Sequence, residues 1–342
     1  MFAPETISER SPMTTIDTPT RLSPPSRQTD EFAGEWPDRI SPARLRELSK
    51  ISPWRTGQGI AIEWLGIAAA IWLSLNFWHP ALYLVVVAFI GARQHALAIL
   101  NHEATHYRLV RNRFWNDAIS NLLLAWPVLI SVEWFRKFHW PHHSHLGTER
   151  DGNRPVYRTH TPDGDLTPFW TFPKTPAKFA AVMLFDLSGA MGLVYLAMLP
   201  VRMWTSRAPL AVACQIAYYI AIATAAFSLG IEKEVFLYWI VPLCTWYVTI
   251  NHLRIIAEHS GLPESNDAYA STRTTMPNLL ERIFILPKHV NYHLEHHIYP
   301  SVPYYHLPQL HTELMTQPGY AHRAHITPSL TSLLQELTRS QS

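Results

Sequence analysis

Long apolar runs, separated by polar or proline-containing breaks, organise this 342-residue chain. "IAIEWLGIAAAIWLSLNFW" and "ALYLVVVAFIGARQHALAIL" are each close to the ~20 residues a helix needs to cross a bilayer. His79-Pro80 marks the turn between them. Further on come "FAAVMLFDLSGAMGLVYLAMLPV", "PLAVACQIAYYIAIATAAFSLG" and "EVFLYWIVPLCTWYVTI". A shorter block, "AISNLLLAWPVLISVEW", is broken by Pro127. Several blocks lack charge across a bilayer's length, which separates them from the core helices of a water-soluble all-α protein. Residues 1–50 read differently. They are rich in Ser, Thr, Pro and charge, with no long apolar run and no signal-peptide core, and are expected to form a disordered tail ahead of a membrane domain at 51–342.

Histidines bunch at 102–106, 139–143, 252–259 and 289–297, between or beyond the apolar blocks. If these clusters form one site, they share one side of the membrane. The first two blocks then leave and return as a hairpin, and the 118–134 block does not cross. Three blocks precede His252, and only an even number of them can cross. Arg202 and Arg207 follow the first, whereas Glu232 and Glu234 separate the other two. The excess of positive charge on cytoplasmic loops places the arginines inside. The expected fold is therefore an all-α polytopic membrane protein. Four transmembrane helices form two hairpins, 118–134 and 178–203 are interfacial, and the termini and histidine clusters are cytoplasmic.

Composition sharpens the chemistry. Nineteen histidines accompany only two cysteines, Cys214 and Cys244, both within apolar blocks. A disulfide framework, a Cys-ligated zinc and a fused iron–sulfur module are thereby disfavoured, and an imidazole-bound metal is favoured. The net charge of +2 gives no reason to expect nucleic acid.

His102-Glu-Ala-Thr-His106 matches the H-E-x-x-H of zinc proteases, with Glu103 as the would-be general base. The rest of the chain argues otherwise. "FHWPHHSHL" supplies His139, His142, His143 and His145, and "HVNYHLEHHIYP" supplies His289, His293, His296 and His297. Both contain H-x-x-H-H, whose three imidazoles are expected to converge on one point from a shared helix face. With the first pair this makes eight candidate ligands, more than one zinc can use, so two metals are expected. All-imidazole sites suit zinc, copper, iron and nickel alike.

The order H-x-x-x-H, H-x-x-H-H, H-x-x-H-H resembles the histidine boxes of the integral-membrane fatty acid desaturase and hydroxylase superfamily. "NYHLEHHIYPSVPYYHLPQLH" is especially similar to bacterial and plant fatty acid desaturases, and the resemblance spans roughly residues 55–315. It implies a di-iron centre at the cytoplasmic face that uses O2 as co-substrate and attacks an unactivated C–H bond. Carried over by position, the ligands are His102 and His106; His139, His142 and His143; His293, His296 and His297. The family's further histidine after the last transmembrane helix falls on His259 in "RIIAEHSGL". Acyl-CoA desaturases carry an Asn four residues before it, where this chain has Ile255. In this setting Glu103 supports neighbouring ligands.

The resemblance implies a desaturase that introduces a C=C bond into a fatty acyl chain or a related lipid-like metabolite. The alternatives are a hydroxylase or ketolase acting on alkanes or carotenoids, and a desaturase of a small amino-acid-type metabolite such as the dihydrorhizobitoxine desaturases. No haem-binding or iron–sulfur motif is present, so electrons are expected from a separate ferredoxin or cytochrome b5-like carrier with its reductase. The strip Arg108, Arg111, Arg113, Arg136 and Lys137 suits an acidic carrier, or is simple positive-inside charge. Around the boxes, His145 and His289 read as flanking residues and His252 as a possible substitute ligand. Arg93 and His95 read as polar contacts near a helix end. Asp151, Glu258 and Glu295 are placed to orient imidazoles. His306, His311, His322 and His325 are expected at the surface, and the Trp-rich runs at 134–140 and 234–246 at the membrane interface.

Overall fold

The computed structural model describes residues 39–153 and 175–339, which are almost entirely helical. The first helix, α1 (Pro42–Leu48), begins on a Ser41 side-chain cap with proline in its first turn. Leu48 is buried, His306 Nδ1 donates to its carbonyl at 2.7 Å, and Arg44 pairs with Glu313. Residues 39–50 are therefore folded against the body rather than being part of a free tail. The remainder of the expected tail, 1–38, lies outside the described residues.

α2 (Pro53–Asn76) and α3 (Pro80–Thr105) form the first hairpin. Each starts with proline after a side-chain cap, Ser52 and His79 respectively. The short turn at Phe77–His79 leaves them no arrangement but antiparallel neighbours. Next come α4 (Arg113–Ser120), a π turn and a 3-10 turn through Val128, and α5 (Val132–Ser144). The chain bends by 92° between Arg113–Val128 and Val132–Ser144, where Pro127 interrupts the helix and Leu129 adopts φ 62°. α6 (Pro176–Leu187), α7 (Ala190–Ala197) and α8 (Leu199–Ser206) follow, with a 59° bend after Leu187.

The second hairpin joins α9 (Pro209–Leu229) to α10 (Glu232–His259). Gly230 at φ 64° closes α9, its N–H bonding back to the last-turn carbonyls of Ala226 and Phe227. α2, α3, α9 and α10 are the four described helices long and apolar enough to cross a bilayer, and six spans result if each bent pair is one span. The two hairpins fall where the sequence predicts them. Their burial differs: the most apolar stretch of α3 and of α10 is 56% buried, against 11% for α9, whose Leu210, Ile220 and Phe227 face outward.

α3 and α10 cross so closely at Gly91 that a Cβ there would meet Trp246 Cβ at 2.7 Å and the Tyr247 backbone nitrogen at 2.9 Å. The partner segment is irregular, with π turns at Phe236–Ile240 and Leu243–Tyr247 flanking Pro242. Three of the tryptophans expected as interface anchors are half-buried, with their indole N–H groups bonded to backbone carbonyls. Trp239 Nε1 donates to Pro127 O at 2.9 Å, Trp246 Nε1 to Phe284 O at 2.8 Å, and Trp140 Nε1 to Thr105 O at 3.2 Å. Trp239 also stacks on Trp64, with ring centroids 5.4 Å apart.

The C-terminal third caps the ends of α3 and α10. It contains β1 (Thr274–Thr275), α11 (Leu279–Phe284), α12 (His293–Ile298), α13 (Leu307–Leu314), α14 (Pro318–Arg323), β2 (Ile326–Thr327) and α15 (Leu330–Arg339). β1 and β2 pair in parallel, Thr274 opposite Ile326. Beneath α15, Leu330, Leu333 and Leu337 pack on Ile99 of α3, on Ile256 and Ala257 of α10, and on Leu286 and Val290. Burying a leucine fully, as at Leu333, stabilises by roughly 1.5–3 kcal/mol. This packing seats α12 against the ends of the two central helices.

Candidate metal centre

Four segments deliver histidines to one place. α3 and the residue after it carry His102 and His106, α5 carries His139, His142 and His143, α10 ends on His259, and α12 carries His293, His296 and His297. All nine histidines predicted from the boxes are brought together. They form two adjacent groups: His102, His106, His139, His143 and His296, and His142, His259, His293 and His297. Within each group one ring nitrogen per residue lies within 4.8 Å of the others.

The triplets do not converge as expected. In α5, His139 and His143 join the first group while His142 joins the second. In α12 the roles reverse, His296 joining the first group and His293 and His297 the second. Helix geometry gives the reason. At about 100° per residue, positions i and i+4 lie some 40° apart, while i+3 lies on the far side of i. An H-x-x-H-H triplet therefore spreads over a wide arc and can serve two centres. Two facing triplets interleave, each giving two residues to one group and one to the other.

The ring nitrogens face one another at hydrogen-bonding distance without a chemistry to match. His106 Nε2 is 2.9 Å from His139 Nε2, and His143 Nε2 is 3.0 Å from His139 Nε2 and 3.1 Å from His296 Nε2. In the second group, His293 Nε2 is 2.8 Å from His259 Nε2 and 3.0 Å from His297 Nε2. The opposite ring atoms decide which nitrogens carry hydrogen. His259 Nδ1 lies 3.0 Å from Ser271 O, which only accepts, so Nδ1 is protonated and Nε2 presents a lone pair. Asp151 Oδ1 at 2.9 Å from His142 Nδ1 and Glu258 Oε1 at 3.2 Å from His293 Nδ1 fix those rings in the same sense. In the first group, His102 Nε2 is buried with no partner. Burial, and after it the neighbouring imidazoles, holds His106, His139, His143, His293, His296 and His297 well below the ordinary histidine range, which is the neutral, ligating form. Lone pairs converging in a buried site fit a cation at each group.

Carboxylates surround the rings, though not all in the expected role. Asp151 and Glu258 orient imidazoles of the second group. Glu103 lies 3.9 Å from His102 Nδ1 at its closest, and its other oxygen accepts the Tyr304 N–H at 2.9 Å, tying α3 to the chain after α12. Glu295 is fully buried and holds none of the nine. It accepts from Thr274 Oγ1 at 2.5 Å, from Tyr320 OH at 2.7 Å and from His311 Nδ1, which clamps α12 to β1, α13 and α14. His311 is thus buried, not at the surface.

The remaining candidates lie outside both groups. His252 Nδ1 lies 2.8 Å from Asp186 Oδ2 instead of reaching the site. His95 Nδ1 donates to Ile285 O at 3.2 Å, and Arg93 pairs with Glu63 at 2.9 Å. His145 and His289 join neither group. His306 is half-buried against Leu48, His325 pairs with Glu336 at 2.9 Å, and His322 is exposed. In the basic strip, Arg136 pairs with Asp117 at 2.7 Å and lies over Tyr107 and Trp140, Lys137 donates to Thr205 O, and Arg108 is mostly turned inward towards His106 O. Arg111 and Arg113 are exposed.

Comparison with known proteins agrees with this geometry. The family profile described as fatty acid desaturase matches residues 76–329. A dihydrorhizobitoxine desaturase of Bradyrhizobium elkanii is 30% identical, over 81% of this chain and 80% of its own length. The sphingolipid delta(4)-desaturase/C4-monooxygenase DES2 of Mus musculus is 25% identical, over 72% of this chain and 67% of its own. An acyl-lipid (8-3)-desaturase of Rebecca salina is also 25% identical, over 75% of this chain and 61% of its own.

Proposed function

The chain belongs to the fatty acid desaturase family, and on that premise we propose that it is a membrane-bound, O2-dependent di-iron desaturase that introduces a C=C bond into an acyl chain or a related lipid-like metabolite. The observation that carries this reading is the pair of adjacent all-imidazole groups whose Nε2 lone pairs face inward. The nine histidines would hold the two irons, which when bound supply O2 activation and removal of hydrogen from an unactivated C–H bond. The chain's own residues do the rest. Asp151, Glu258 and the Ser271 carbonyl hold ring protons on Nδ1 so that Nε2 stays available. Packing around α12 keeps the ligand geometry fixed. Burial of most of the nine rings limits water at the reacting position.

The electrons come from a separate ferredoxin or cytochrome b5-like carrier with its reductase, since Cys214 and Cys244 are too few for a cluster of the chain's own. The site sits on the cytoplasmic face, where Arg108, Arg111 and Arg113 follow the end of α3. Of the basic strip, Arg111 and Arg113 remain exposed for an acidic carrier. The test is incubation of enzyme-containing membranes with a reducing system and isotopically labelled O2. The expected product is an alkene without label. Label retained chiefly in an alcohol or ketone replaces the desaturase reading by that of a hydroxylase. Purified active protein containing zinc and no iron overturns the iron assignment.

A further inference from the structure

α2 carries no histidine, yet the chain touches it both before and after α12. Before α12, Pro287–Val290 is a tight turn, closed by the Val290 N–H donating to Pro287 O at 3.2 Å. Its two central residues, Lys288 at φ 55° and His289 at φ 57°, are both left-handed, as in a type I′ turn. Glycine, asparagine and aspartate dominate those positions, because bulkier side chains are strained there. Strain of this kind persists only where the surroundings over-determine it, and it gathers at functional sites. Only Asn291 and Tyr292 separate the turn from His293.

The hold comes from α2. Lys288 Nζ lies 2.7 Å from Glu63 Oε1, donates to Gly59 O at 3.0 Å and sits over the Tyr304 ring. Glu63 is 1% exposed, and its other oxygen pairs with Arg93 of α3 at 2.9 Å. Arg93 in turn donates to Ile283 O in α11. Among the described residues Glu63 is the one carboxylate with which either cation pairs. After α12, the Tyr304 side chain packs on α2 so tightly that a Cβ at Gly59 would collide with its hydroxyl, while the Tyr304 N–H is held by Glu103 beside His102. Gly59 and Glu63 are one turn apart on one face of α2. The chain therefore enters and leaves α12 over a single patch of a helix that supplies no ligand.

We propose that Glu63 is a positioning residue for α12: through Lys288 it holds the left-handed turn that sets where His293, His296 and His297 stand. A carboxylate suits this place because its two oxygens neutralise one cation from the hairpin and one from the segment leading into α12, almost out of reach of water. α12 gives His296 to the first group and His293 and His297 to the second, so a shift of this one helix reaches both. The consequence for metal rests on the proposed reading of the histidine groups. The placement of α12 is measurable without metal.

The test is amide hydrogen exchange, read by mass spectrometry, on the metal-stripped full chain in nanodiscs. Lys288→Met leaves Glu63 and Arg93 as a one-to-one pair, so the hairpin keeps a neutral core. Exchange in peptides covering 286–298 is expected to rise about tenfold or more, while peptides from α4 and α8 keep wild-type rates. Glu63→Gln is expected to act in the same way, and adding Lys288→Met to it to bring no further rise, since both work through one contact. His289→Gly placed in the Lys288→Met chain is expected to restore part of the protection, because glycine adopts the left-handed turn without a tether. Should Glu63→Gln fail to insert, Lys288→Met and its glycine rescue decide alone. Wild-type exchange at 286–298 in Lys288→Met overturns the proposal. So does a uniform rise along the chain, which assigns the pair to general stability, and so does a local rise that His289→Gly leaves in place. With metal loaded, a chelator is expected to strip Lys288→Met about tenfold faster than wild type, and from both groups; an unchanged rate overturns the proposal. Local loosening of 286–298 in a chain whose wild type binds no metal supports the positioning role and counts against the metal reading.

Discussion

His142 Nδ1 lies 2.9 Å from Asp151 Oδ1, and both side chains are almost completely buried. The carboxylate keeps the ring's proton on Nδ1 and turns Nε2 to His259, His293 and His297. Asp151→Asn preserves shape but removes the charge and half of the accepting capacity. Metal affinity is expected to fall about 10- to 100-fold, the cost usually seen when a ligand's supporting partner is lost. Metal content after dialysis against a graded chelator series measures this. Unchanged retention would mean that Asp151 only packs.

Alanine at His142 or His296 removes a histidine from a different group in each case. Both are expected to abolish activity, and iron per chain is expected to fall from about two. The protein should still insert in the membrane, because the hairpins do not depend on the site. His322 is exposed and His325 is half-exposed beside Glu336, so alanine there is expected to change stability by no more than about 0.5 kcal/mol. Iron analysis and membrane fractionation of the four variants provide the check.

Glu295 is the buried acceptor for Thr274, His311 and Tyr320. Glu295→Ala leaves three buried donors without an acceptor. About 1–3 kcal/mol of stability is expected to be lost for each donor that water cannot reach. The loss should appear as a lower unfolding midpoint even in metal-stripped protein. A midpoint that falls only when metal is bound would instead assign Glu295 to the ligands.

Reporter fusions after residue 50, near residue 150 and after residue 335 are expected to report the cytoplasm. Fusions at the two tight turns, near Asn76 and Glu232, are expected on the opposite side. A cytoplasmic signal at Glu232 would show that the bent Pro176–Ser206 segment crosses the membrane and that the helices pair differently.

The long apolar helices and the eight box histidines that come together were legible because each rests on local spacing: apolar runs of bilayer length, and histidines three and four apart. What spacing did not reveal depends on partners distant in sequence. The division of each triplet between two groups follows from the way α5 and α12 face each other, which no single box encodes. His311 looked like a surface residue because its acceptor, Glu295, is sixteen positions away on another helix. Glu295 itself sits between ligands and reads as their helper, yet its side chain leaves on the opposite face towards β1. Trp239 and Trp246 read as an interfacial belt by composition, and their indole N–H bonds to Pro127 O and Phe284 O, far away in sequence, could not be read from it.

The interleaving of the triplets also bears on the order of events during synthesis. The first group lacks His296 and the second lacks His293 and His297 until α12 has emerged from the ribosome. Membrane insertion of both hairpins precedes that moment, since chains are made from the N-terminus. Neither histidine group can be completed while the chain is still growing past residue 259. On the proposed two-metal reading, loading is a late event, and a chain truncated before α12 is expected to insert normally yet be unable to complete either group.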